Sequence, residues 1–304
     1  MAKLSGNNGF SLTEVLLAVG TLAIGMIFIA GVFPVAIHFS TVASEQTIAA
    51  VVADEAFAKI RLYAVGDPCQ TGDDIELNQL REVELRPYGS TDFNSIFPAI
   101  KDCNVNEFAY PSDPNIDISE KQYYWSALLR LLREYDSGDN DPNRLVQVTV
   151  FVCRKNGPNL KYLNPDPGAT KDVDWPMPVR IDVENVTGKE DELKIKVKES
   201  ENPWEKTSIN DGYMIVDDQT GRIYRVLERY APYGNKPADY DQIILLDRNW
   251  DDRDWNGDTI SSSPDKIWVV PPPLAPGATT AVPETLAFSG GYPCIAIYQK
   301  VIRF

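Results

Sequence analysis

The sequence predicts an α+β fold in which one long N-terminal helix, membrane-spanning at first and stalk-like afterwards, packs on a β-rich globular head. Three observations predict it: an apolar run from Val15 to Phe39, an amphipathic stretch continuing to about Tyr63, and short strand-like segments across the second half of the 304 residues.

The apolar run comes first. Between Val15 and Ser44 there is no Asp, Glu, Lys or Arg, and the only titratable side chain is His38. At about 1.5 Å of rise per residue, roughly 25 residues cross a hydrocarbon core of about 30 Å with some tilt. Immediately before the run stands Glu14. A charge at the centre of a membrane helix costs about 2.5 to 3.5 kcal/mol on insertion scales, so a plain anchor has no use for it. A cleaved secretory signal has a basic start and an apolar stretch of about 7 to 15 residues. Here the start carries Lys3 alone and the run is longer, although Val42-Ala43-Ser44 offers a small-residue cleavage site. A plain signal anchor leaves Glu14 unexplained. The helix of a soluble core lacks a second apolar segment of comparable length to pack against.

The segment Gly9-Phe10-Ser11-Leu12-Thr13-Glu14-Val15-Leu16-Leu17-Ala18 resembles the N-terminus of the type IV pilin and type II secretion pseudopilin family. The resemblance rests on a short polar leader with one basic residue, a Gly-Phe junction, a glutamate four positions after the phenylalanine, and an apolar helix. It covers about the first 60 residues. It implies that a prepilin peptidase cuts between Gly9 and Phe10 and methylates the new amine. It also implies that Glu14 neutralises the amine of Phe10 in a neighbouring subunit during assembly. Opposite charges a few ångströms apart in low dielectric offset much of each other's desolvation, whereas either alone is costly. The implied partners are other pilin or pseudopilin subunits, the peptidase and an inner-membrane assembly platform. The implied location is a single pass through the inner membrane with the head extracytoplasmic, then the periplasm or cell surface once assembled. Many members carry a proline at the position of Gly31; this chain carries Pro34 instead. Because proline removes a helical hydrogen bond, Gly31 to Pro34 is the expected bend or melting point.

From Ser44 to Tyr63, Ala49, Val52, Ala53, Ala56, Phe57 and Ile60 share one face at helical spacing, with Glu45, Asp54 and Arg61 elsewhere. A continuous helix from Phe10 to Tyr63 is roughly 80 Å long, and Gly66-Asp67-Pro68 is its stop signal. The expected organisation is a leader over 1–9, the helix over 10–64, an α+β head over 65–155 and a β-rich extension over 156–304. Residues 67–119 read mostly as loop. Glu120 to Tyr135 reads as a second helix, with Tyr124, Leu128, Leu131, Leu132 and Tyr135 on one face. Arg144 to Arg154 alternates as a strand. Further strands are expected at 179–186, 192–198, 213–217, 222–230, 242–247, 266–271 and 293–303, with Asp217-Asp218-Gln219-Thr220-Gly221 as a hairpin turn. The stretch from Pro271-Pro272-Pro273 to Pro283 reads as an extended surface loop.

A net charge of −15 opposes nucleic-acid binding and favours solubility outside the membrane. The sharper alternative is calcium, since Asp252, Asp254, Asn256 and Asp258 offer oxygen ligands at alternate positions around Gly257. Against it, the twelfth position of such a loop is Ser263, so the bidentate glutamate is absent, and the sequence shows no obvious flanking helices. Four cysteines follow the apolar run: Cys69, Cys103, Cys153 and Cys294. An oxidising compartment permits disulfides among them; three connectivities are open, as is the reading of free buried thiols, and Cys69 with Cys103 is favoured because both lie in the loop-rich region.

No catalytic constellation emerges. His38 sits at the end of the apolar run, and Ser289-Gly290-Gly291 lacks the context of a phosphate loop. The expected function is structural: a minor or specialised filament subunit, not an enzyme. Large tip pseudopilins of similar length generally lack the glutamate, so Glu14 argues against that assignment. The alternative of another class is a membrane-anchored binding module, for example one recognising carbohydrate through exposed Trp250 and Trp255; an anchored hydrolase lacks a visible site.

Overall fold

Ala49, Val52, Ala53, Ala56, Phe57 and Ile60 are each at most 8 % exposed, so the stripe written at three- and four-residue spacing is the buried face of a helix. In the computed structural model of the chain this helix, α1, runs Leu12–Tyr63 without interruption. The structure describes residues 11–63, 86–87, 108–118, 120–132, 145–157, 159–163, 173–196, 207–230, 242–251, 265–275 and 288–303. Two units divide at residue 48, within α1. In the first, every residue from Ser11 to Thr41 is exposed. The helix continues through Gly31 and Pro34, and the local melting expected there is not seen in the single chain.

The second unit is built on two antiparallel sheets. The first contains β1 (Arg86–Pro87), β2 (Ala109–Tyr110), β3 (Tyr123–Leu132), β4 (Leu145–Arg154) and β11 (Cys294–Arg303), in the order β1-β3-β4-β11 with β2 also on β3. The last strand, which lies in the 156–304 segment, therefore pairs along its length with β4. The six strands between them close into a barrel: β5 (Val179–Val186), β6 (Lys189–Ile195), β7 (Met214–Asp217), β8 (Ile223–Arg229), β9 (Ile243–Leu246) and β10 (Asp265–Val269), in the order β10-β5-β6-β9-β8-β7. The barrel is an insertion in the connection from β4 to β11.

The second helix expected over 120–135 does not form in its described part, where β3 occupies Tyr123–Leu132; residues 133–135 lie outside the described residues. The physical reason is burial on both faces. Residues 124–130 are all buried, and a strand covered on both sides loses the alternation that marks a strand. Directly opposite residues of an antiparallel pair project to the same face. Leu129, Ala127 and Trp125 oppose Val148, Val150 and Val152, which in turn oppose Lys300, Tyr298 and Ala296. The Lys300 ammonium lies 5.6 Å from the Phe57 ring centroid, which identifies this as the face that α1 covers. The opposite face presents Leu128, Phe151 and Cys153. It packs on Val216, Trp268 and Val270, with Met214 and Ile223 against the same cluster. Thus β4 is buried between helix and barrel.

Inside the barrel, alternate residues fill the interior: Ile181 opposes Ile267, Leu193 opposes Ile244, and Ile215 opposes Tyr224, all in one buried cluster. Trp250 belongs to that cluster. Its ring lies 4.8 Å from Tyr224 and its Nε1–H donates to Asp265 Oδ2 at 3.3 Å. It is 8 % exposed, so the expectation of an exposed carbohydrate-stacking residue is corrected for Trp250, while Trp255 lies outside the described residues. Pro271, Pro272, Pro273 and Leu274 are buried as well, not a surface loop. The backbone is held there as well: Leu274 N–H donates to Lys161 O and Ser289 N–H donates to Pro273 O, both at 2.8 Å.

Candidate functional site

The only charged side chain described between Ser11 and Ser44 is Glu14, in the first turn of α1. The first turn of a helix leaves its N–H groups without intrahelical acceptors, and a carboxylate there is favourable to the helix dipole. Glu14 meets this need through its own chain: the Ser11 N–H donates to Glu14 Oε2 at 3.3 Å, while Glu14 N–H and Val15 N–H donate to Ser11 O at 3.0 and 3.2 Å. Ser11-Leu12-Thr13-Glu14 thus contains the glutamate half of a capping box. The Ser11 hydroxyl is engaged with that of Thr13 at 2.7 Å. The Ser-x-x-Glu spacing was the signal for this second role of Glu14, overshadowed by the apolar run behind it.

Beyond Glu14 the helix presents bare apolar surface. Leu16, Leu17, Ile27, Phe28, Ile29 and Phe39 are each more than 60 % exposed. One helix, Leu12–Leu62, is long and apolar enough to cross a membrane. Thr21 and Thr41 turn their hydroxyls back onto Ala18 O and Ile37 O, both at 3.0 Å, which hides two polar groups from an apolar surrounding. His38 is exposed beside Phe39, with ring centroids 6.1 Å apart.

Several candidate residues lie outside the described residues: Gly9 and Phe10 of the processing junction, Asp252, Asp254, Asn256 and Asp258 of the calcium candidate, and Cys69 and Cys103 of the favoured disulfide. Among the described residues no cluster of three or more His, Cys, Asp or Glu side chains could hold a metal ion.

The structure brings together two groups that spacing alone does not connect. One is a polar joint between sheet and barrel. The Arg130 guanidinium on β3 donates to the backbone carbonyl of Gln219 and to Gln147 Oε1 on β4, while Gln299 on β11 donates to Thr149 Oγ1 and to the carbonyl of Gly221. Side chains of β3 and β11 thereby grip the 217–221 hairpin, while β4 between them supplies the second acceptor of each. Within it, the Asp217 carboxylate accepts Gln219 N–H at 3.0 Å and Thr220 N–H at 3.1 Å. Burial raises the Asp217 pKa although these bonds and Arg130 pull it down, and burial likewise lowers that of Arg130. For both groups desolvation outweighs the attraction, and the contacts across the joint are hydrogen bonds to carbonyl and carboxamide groups. The second group is Cys153 and Cys294, directly opposed on β4 and β11 and both buried.

Comparison of the chain with protein-family models, with curated proteins and with solved structures finds no match.

Proposed function

We propose that the chain is a prepilin-type subunit: cut between Gly9 and Phe10, held in the inner membrane by α1, and assembled through helix packing into a type IV pilus or type II secretion pseudopilus as a minor or specialised component. The observation that carries this reading is Glu14, a lone carboxylate heading an exposed apolar helix. A helix used only as a tether gains nothing from it that a serine or asparagine cap would not supply. A filament gains a counter-charge for the terminal amine of the adjoining subunit in a low-dielectric core. The apolar surface from Leu12 to Phe39 first meets lipid and then the same surface of other subunits. The pilin-like part of the head is the sheet packed on α1, and the barrel is an addition carried outside the filament core.

Mass spectrometry of the mature N-terminus tests the reading. The expected species begins at Phe10 and carries an N-methyl group; a chain that retains Met1, or one cut after Ser44, overturns it.

A further inference from the structure

We propose that Cys153 and Cys294 form a disulfide that locks the neck of the inserted barrel. The two residues are opposed in the β4–β11 register, and Arg154 N–H donates to Pro293 O at 2.7 Å. That bond makes Arg154 and Pro293 the hydrogen-bonded pair, so Cys153 and Cys294 are the neighbouring non-hydrogen-bonded pair. In such a pair the Cα atoms stand about 4.5 Å apart and the side chains come closest, inside the roughly 4.4–6.8 Å window of disulfides. Both thiols are buried and free, with Cys294 Sγ 3.6 Å from Ala296 O.

Position gives the bond its meaning. Every barrel strand lies between residues 153 and 294, so this bond closes the chain at the point where it leaves the sheet for the barrel and returns. The neck is packed as well as paired. Tyr292 stacks on Tyr213 with ring centroids 4.0 Å apart, and its hydroxyl bonds both Met214 N and Met214 O, at 3.1 and 3.0 Å. Asn156 Nδ2 donates to Gly291 O at 2.7 Å, joining the outgoing and returning strands just beyond the cysteines. A covalent bond here ties together two strands whose separation would release the whole insertion.

The reaction is a two-electron oxidation. Both Sγ–H bonds break, one S–S bond forms, and two protons and two electrons pass to a disulfide oxidant of the thiol-exchange class, which is reduced to two thiols. Burial and the neighbouring thiol push the Cys153 pKa well up, so Cys153 is a poor nucleophile once the reduced chain has folded. Oxidation therefore accompanies folding, before the barrel closes over the pair. The bond rests on the extracytoplasmic placement proposed above, because a reducing cytosol would keep both thiols free.

The test uses the full chain, acid-quenched in cells, alkylated in denaturant without reductant, and digested for mass spectrometry. The expected result is one peptide pair joined through Cys153 and Cys294, with neither residue alkylated. In parallel, purified full-length protein is refolded in detergent with reduced and oxidised glutathione. The same linkage is expected, with the unfolding equilibrium constant lowered on the order of a hundredfold relative to the reduced protein; the Cys153→Ser/Cys294→Ser double variant should lose that dependence on reductant. Free thiols after refolding in excess oxidised glutathione, or linkage of either residue to Cys69 or Cys103, overturn the proposal. Linkage on refolding but free thiols in cells upholds the pairing geometry, overturns the bond in the living cell, and counts against an extracytoplasmic head.

Discussion

Gly221 lies so close to Gln147 that a Cβ built on it would stand 2.9 Å from both the Oε1 and Nε2 atoms of that carboxamide. The glycine has φ of +68°, and its carbonyl accepts the Gln299 side chain. The barrel hairpin therefore reaches the sheet backbone-first, at the one residue type without a side chain in the way.

Gly221→Ala is accordingly expected to destabilise the folded head by about 1–3 kcal/mol, from the left-handed conformation and the displaced Gln147 bond together. Urea unfolding followed by tryptophan fluorescence checks it, since Trp268 is buried against this joint. An unchanged midpoint would mean that the hairpin does not rest on the sheet as described.

Substituting two alanines two residues apart, and so on opposite sides of the helix, separates the faces of α1. Ala56 is fully buried and Ala58 exposed. Ala56→Leu is expected to cost about 1–3 kcal/mol by overpacking, and Ala58→Leu to stay within about 0.5 kcal/mol of the parent. Thermal unfolding of the two variants decides; equal losses would put a different face of α1 against the sheet.

Alkaline titration reports on the core. Burial, helped by Asp174 and Tyr162, pushes Tyr124 up to about 12, and burial also raises Tyr162, Tyr213, Tyr224, Tyr292 and Tyr298. A phenol whose folded pKa is raised binds its proton more tightly in the folded state. Its contribution to stability is complete below the ordinary value of about 10 and is lost as pH rises through the folded value, here about 12 for Tyr124. Absorbance at 295 nm should thus show these tyrosines ionising late, with loss of circular dichroism. A single step near 10 with the fold intact would contradict the packing.

Glu14→Gln distinguishes the two roles of this side chain. Glutamine serves as well as glutamate at the third position of a capping box, so the helix and membrane insertion should survive. Charge neutralisation of an amine should not, and assembly into filaments is expected to fall at least as far as with Glu14→Ala. Filament recovery by shearing and immunoblotting, with membrane fractionation as control, measures it. Full assembly of Glu14→Gln would reduce Glu14 to a helix cap.

Much of the architecture follows from local chemistry. The stripe from Ala49 to Ile60 and the bounds of β5 were legible because each has one buried face written at its own period, and β4, although buried on both faces, was legible from its β-branched valines at every second position. In β3, also buried on both faces, no such period marks the strand, and so it resembled a helix. Trp250 likewise looked exposed because an indole near a run of aspartates carries no local sign of the barrel that encloses it.

By itself the sequence determined the long apolar helix, its solitary Glu14 and a β-rich chain behind it, since charge, length and period act within a few residues. Only the tertiary structure decided that the last strand returns to β4, that six strands between them close on themselves, and that Cys153 meets Cys294. These are pairings between distant segments, fixed by which faces must be buried together. For Glu14 the structure added a local bond to Ser11, and with it a reason to test charge separately from shape.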